Sequence, residues 1–202
     1  MTIRVFLFFA AAAILLFCAS CFVHSSLAYF DKDTEGVPNL LSNPGFSAYS
    51  LNPGEALLGW TVQSDGKDAK HLSVVIDGQE ALQGNSSLRI DASDNTVILL
   101  SDAFQVRRYG GYYTRLKAKC SEAKGPQLTL RLVTFSETGS VFGKYKTTFK
   151  TGTGWSKGTI SSGFNKPGVS FGRLQIVIPP FEKGSLWLDD AGCWEVHHFR
   201  ID

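Results

Sequence analysis

Gly184-Ser185-Leu186-Trp187-Leu188-Asp189-Asp190-Ala191-Gly192-Cys193-Trp194 forms the last strand-like segment of the chain, and Asn39-Leu40-Leu41-Ser42-Asn43-Pro44-Gly45-Phe46 is its counterpart near the start. Between these two phrases lie short β-rich runs broken by Gly, Pro, Asn and Asp, with no helical stripe of any length. Such a pattern belongs to a sandwich or barrel of antiparallel strands. Predicted strands cover 39–46, 60–62, 72–77, 87–91, 97–106, 112–120, 127–136, 144–151, 155–164, 170–178 and 185–196. Turn chemistry separates them, as at Asp77-Gly78, Gly110-Gly111, Gly125-Pro126, Pro167-Gly168 and Pro179-Pro180.

Period-two alternation assigns the faces. Leu116 and Ala118, Leu128, Leu130 and Leu132, and Leu174, Ile176 and Ile178 are expected to point into the core, because an antiparallel sheet must bury one face. The opposite faces then carry Tyr113, Arg115, Lys117 and Lys119, next Gln127, Thr129, Arg131 and Phe135, and finally Phe171, Arg173 and Gln175. These outward residues are rich in aromatic and planar polar groups, although a solvated sheet also carries Arg, Lys and Thr outward.

The chain begins with one cation, Arg4, and an apolar run from Val5 to Ala19, which has the form of a secretory signal rather than a spanning helix. Two processing routes are open. Ser26-Leu27-Ala28 offers small residues for ordinary cleavage, whereas Cys18-Ala19-Ser20-Cys21 resembles a degenerate lipobox in which Cys21 would carry a lipid and attach the protein to a membrane. Either route implies export. Removing residues 1–28 leaves about 175 residues, one domain's worth, with 29–38 expected as a short frayed tether and 39–202 as the domain.

A net charge of +2, with cations scattered along the chain, gives no electrostatic argument for nucleic acid. Of the four cysteines only Cys120 and Cys193 lie outside the signal. Both fall on inward faces, and a lone pair in an exported chain is expected to form a disulfide, since a closed zinc site needs about four ligands. Two separate buried thiols are the alternative.

The order of smaller phrases carries a resemblance. Gly59-Trp60, Gly84-Asn85-Ser86-Ser87-Leu88-Arg89-Ile90, Ser101-Asp102-Ala103-Phe104-Gln105-Val106 and the strand from Tyr112 to Lys119 follow the opening phrase in turn. Trp155 and Ser162-Gly163-Phe164-Asn165-Lys166-Pro167 precede the closing one. Across residues 39 to 196 this order resembles carbohydrate-binding modules of families four, nine and twenty-two, and so implies a jelly-roll β-sandwich of two antiparallel sheets. The resemblance implies core positions for Trp60, Trp155 and Trp187. It also implies a structural Ca²⁺ held partly by Asp189 or Asp190, but Ser47 stands where a further carboxylate is expected, so the site would be weak. No other cofactor is expected.

Sugar recognition needs a flat aromatic surface for the C–H face of a pyranose and planar side chains that bond hydroxyl groups in pairs. Tyr113, Arg115, Arg131, Arg173, Gln175 and Trp194 are the candidate carbohydrate-binding residues, with the Tyr109–Tyr113 cluster beside Trp194 made approachable by its glycines. Catalysis has no comparable signal: there is no Gly-x-Ser-x-Gly elbow, zinc-binding helix or phosphate loop, and no acidic residue sits in a hydrolase-like phrase. The expectation is therefore a non-catalytic binder of a polysaccharide or other glycan. The alternative is a surface protein-interaction module of the same fold that binds no sugar.

Overall fold

A computed structural model describes residues 28–49, 57–65, 72–163 and 165–199. The signal-type segment, with Cys18 and Cys21, lies outside the described residues. Two antiparallel sheets pack face to face. The first, sheet A, runs β1 (Trp60–Ser64), β4 (Val97–Ser101), β10 (Val169–Ile178), β7 (Gln127–Ser136) and β8 (Val141–Lys150), with β5 (Phe104–Gln105) also paired to β10. Sheet B runs β2 (Val74–Asp77), β3 (Ser87–Ser93), β11 (Phe181–His198), β6 (Gly110–Cys120) and β9 (Ser156–Ser162). This is the two-sheet sandwich expected from the alternation, and the residues assigned inward are the core. Leu116, Ala118, Leu128, Leu130, Leu132, Leu174, Ile176 and Ile178 are fully buried, together with Leu186 and Leu188 of β11.

Three local differences from the sequence reading have physical causes. Residues 39–46 form no strand, because Pro44 lacks an N–H and both Asn43 and Phe46 adopt positive φ near 49°. The segment still lies along β11 through Leu40 N–H to the Cys193 carbonyl and Ala191 N–H to the Pro44 carbonyl. Asn39 acts there as a substitute backbone unit, donating to the Ala191 carbonyl and accepting from the Cys193 N–H. Residues 97–106 are interrupted at Asp102, where the Ser101 hydroxyl takes over the ladder by accepting the Leu174 N–H at 2.9 Å. Residues 29–38 are not a frayed tether: Asp31–Thr34 makes a 3-10 turn seated on the outer face of sheet B.

The disulfide expectation is corrected. Both thiols are buried in the core as alternation required, but both are free. β6 and β11 are direct neighbours, with Cys120 opposite Leu186 and Cys193 opposite Thr114. The two cysteines therefore stand six residues apart along the ladder, roughly 20 Å at about 3.3 Å per residue, where a disulfide tolerates about 7 Å between Cα atoms. Facing the same core was correct; facing each other was not.

Candidate functional site

The six candidate residues divide between the two outer surfaces of the sandwich. Tyr113, Arg115 and Trp194 come together on sheet B, where Trp194 is directly opposite Tyr113 in the β6–β11 ladder. Their rings stack at 6.2 Å between centroids, and the Arg115 guanidinium lies 4.9 Å from the Trp194 ring. This grouping has the composition of a sugar platform, but it is covered. Tyr113 is 2% exposed and Trp194 7%.

The cover is the segment from Tyr29 to Thr34. Asp31 is its anchor, accepting the Tyr113 hydroxyl and Arg115 Nη1 at 2.9 Å each through Oδ1 and Lys157 Nζ at 2.6 Å through Oδ2. Those bonds, Lys157's foremost, hold the Asp31 carboxyl far below the usual carboxylate range against the opposing effect of burial. On its other side Arg115 donates Nη2 to Asp190 Oδ1 at 2.6 Å, and Lys117 Nζ sits 3.2 Å from Asp190 Oδ2. Burial pulls the Arg115 pKa down, yet its two carboxylate partners more than reverse this and leave it raised. The Tyr113 phenol is pushed up by burial first and by Asp31 second. Two glycines shape the seat: a Cβ on Gly111 would collide with the Tyr29 ring, and one on Gly192 with the Trp194 ring. The expectation of an accessible site on these residues is thus corrected, because the chain's own N-terminal segment takes up their hydrogen bonds and stacking surface.

Sheet A presents a different outer face. The ladders place Thr61, Leu100, Gln175, Arg131 and Lys146 in one cross-strand row. Arg173, Val133 and Lys144 form the next, followed by Gln105, Phe171, Phe135 and Val141. Phe135 and Phe171 stack at 4.9 Å with planes 13° apart. Beside them a shallow cleft of about 540 Å³ is lined by Arg131, Val133, Phe135, Lys144, Lys146 and Gln175, among others. Arg173 is steadied by a bond from Nη1 to the Ser101 carbonyl. Arg131, Arg173 and Gln175, three of the six candidates, therefore belong to one open face. Lys144 and Lys146 were missed, although the alternation Lys144-Tyr145-Lys146 carries the signal.

The remaining aromatic and acidic expectations sort themselves by position. Trp60 is in the core, packed against Phe46 with ring centroids 5.0 Å apart and planes tilted by 40°. Trp187 is outward on sheet B, donating Nε1 to Asp77 Oδ2 at 3.0 Å, and Trp155 is only half-buried, so neither holds the core position that was expected. Asp189 accepts the N–H groups of Leu82 and Gln83 through Oδ2 and that of Asp190 through Oδ1. Burial pushes its pKa up against these bonds. Its oxygens thus pin the β2–β3 turn, with Asp190 at φ 51° in the adjoining β-bulge. Ser47 instead donates its N–H to the Asn43 side-chain oxygen. Among the described residues no three acidic, His or Cys side chains gather in a group fit for a metal ion.

Comparison with solved structures decides the architecture. A family 61 carbohydrate-binding module, TmCBM61, solved with β-1,4-galactotriose, superposes with a TM-score of 0.57 at 20% identity, over 78% of this chain and 99% of that one. The CBM22-1 xylan-binding domain of Paenibacillus barcinonensis Xyn10C gives 0.53 at 16%, over 81% and 97%. The fold is that of the carbohydrate-binding β-sandwich modules. The same architecture also occurs inside larger proteins: this chain matches 21% of the enzymatically active domain of bacteriophage CBA120 tailspike protein 4, with a TM-score of 0.62 at 10% identity over 77% of this chain. The sequence matches no protein-family profile and no curated protein.

Proposed function

We propose that the protein is a non-catalytic, exported glycan-binding module whose site is the outer face of sheet A. The observation that carries this reading is the stacked Phe135–Phe171 pair standing one ladder row from Arg173 and two from the Arg131–Gln175 pair, on a face that carries an open cleft. Aromatic faces meet the C–H surface of a sugar ring, and guanidinium and amide groups hydrogen-bond vicinal hydroxyls, so both requirements of recognition occur side by side. The likeness to modules solved with galactotriose or described as xylan-binding supports the class of ligand but does not carry its identity. Export follows from the apolar N-terminal run, with cleavage after Ala28 or lipid attachment at Cys21 as its two routes. Affinity electrophoresis through gels containing a panel of plant and bacterial polysaccharides tests the reading. Wild-type retardation by at least one polymer, lost in Phe171→Ala, is expected; free migration through every gel would leave the protein-interaction alternative standing.

A further inference from the structure

The outer face of sheet A carries Arg131, Arg173, Lys144 and Lys146, and no carboxylate lines its cleft among the described residues. Arg131 stands directly opposite Lys146, a cross-strand pairing of like charges that costs stability rather than adding it. Lys144 and Lys146 share a side of one strand, about 7 Å apart at strand spacing. Sheet B solves the same problem differently: each of Arg115, Lys117, Lys119 and Lys157 has an acidic partner. On sheet A, by contrast, no ion pair involves Arg131, Lys144 or Lys146 among the described residues.

Resting on the glycan-binding reading, we propose that the ligand of sheet A is an acidic glycan, whose carboxylate or sulfate groups meet Arg131, Lys144 and Lys146 while a sugar ring packs on Phe135 and Phe171. An anionic group relieves the repulsion between Arg131 and Lys146 and gains charge-assisted hydrogen bonds, so charge selects the ligand at the same place where the aromatic pair selects a ring. A guanidinium can take a carboxylate or a sulfate with two parallel bonds, and flanking ammonium groups supply point charges. Gln175, opposite Arg131, remains for neutral hydroxyls.

The test uses chemically matched polymers in affinity gels: polygalacturonate against its methyl ester for the carboxylate, and dextran sulfate against dextran for the sulfate. The acidic member of at least one pair should retard the protein about tenfold more than the neutral member, the order expected when one charge-assisted bond is lost. Which pair responds identifies the anion. Lys144→Gln with Lys146→Gln should remove most of that preference, and raising salt from about 50 to about 500 mM should weaken it, as screening requires. Phe171→Ala keeps every charge, and it should still lose retention if a sugar ring is recognised. Equal retention by acidic and neutral members, lost in Phe171→Ala, overturns the acidic preference and leaves glycan binding intact. Retention by acidic polymers that survives Phe171→Ala and is matched by single-stranded DNA reports a general polyanion surface and overturns the proposal. No retention by any polymer overturns both readings.

Discussion

The two outer faces of this sandwich have similar side chains but satisfy them to different extents. Sheet B combines Tyr113, Trp194, Arg115, Lys117 and Lys157, and every one of these has a partner supplied by the chain itself. Sheet A combines Phe135, Phe171, Arg131, Lys144 and Lys146 with few. Composition therefore does not distinguish a binding face from a structural one. What distinguishes them is whether the hydrogen-bonding capacity and charge are already satisfied: a satisfied cluster rigidifies the fold, and an unsatisfied one has interactions left to make.

The sharpest way to break this comparison is to remove one arginine from each face. Arg115→Ala should cost about 3 kcal/mol, because it leaves Asp190 short of a partner in a nearly buried position and removes one of the three bonds that hold Asp31. Arg131→Ala should change stability by less than about 0.5 kcal/mol, because its side chain is exposed and holds nothing together. Chemical denaturation of the two variants measures the difference; equal losses would mean that sheet A is as internally satisfied as sheet B.

Gly111→Ala is the next largest, expected at 1 to 2 kcal/mol or about that, because its Cβ would displace the Tyr29 ring while leaving both sheets paired. Hydrogen exchange should show residues 29–34 losing protection in this variant with β6 and β11 unchanged. Protection retained at 29–34 would show that the segment is held without its tyrosine.

Acid should release the same segment, and the sign follows from Asp31. Its pKa is depressed on folding from 3.8, so its contribution is fully present above the ordinary carboxylate range and is lost as pH falls below it. Exchange protection of residues 29–34 should be flat from pH 8 to about pH 5 and decline only in stronger acid. A loss of protection centred near neutrality would assign the anchor to another group.

The smallest effect concerns the thiols. Burial pushes Cys193 up to about 12, so the native protein at pH 8 should react slowly with a thiolate-seeking reagent. With residues 1–28 removed, denaturation should expose two reactive thiols per chain, Cys120 and Cys193. A linked pair of peptides in unreduced digests would contradict the ladder that separates them.

How far the sequence carried each of these points depends on the range of the interaction. Alternation is local, so the inward positions of Leu128, Leu130, Leu132, Leu174 and Ile176 were legible, and so was the outward position of Phe135 and Phe171. Register is not local. Nothing in the spacing of Cys120 and Cys193 says that β6 and β11 place them six residues apart along a shared ladder. The partition of candidates between faces was hidden for the same reason, since alternation gives an outer side but not which sheet a strand joins. Coverage of sheet B was the hardest to read, because Asp31 and Arg115 are 84 residues apart. Its traces are the acidic Asp31-Lys32-Asp33 phrase and Gly110-Gly111, beside which Tyr112 and Tyr29 respectively take the space that a ligand would need.

The most direct test of the account compares ligand retention after altering each face in turn. Polysaccharide affinity electrophoresis should show Arg131→Ala losing retention with an unchanged melting temperature and Phe171→Ala losing it while still folded, whereas deletion of residues 28–34 lowers the melting temperature and leaves retention as in the wild type. Retention that survives both sheet A substitutions and rises when residues 28–34 are removed would place the site on Tyr113, Arg115 and Trp194 and contradict the assignment of the two faces.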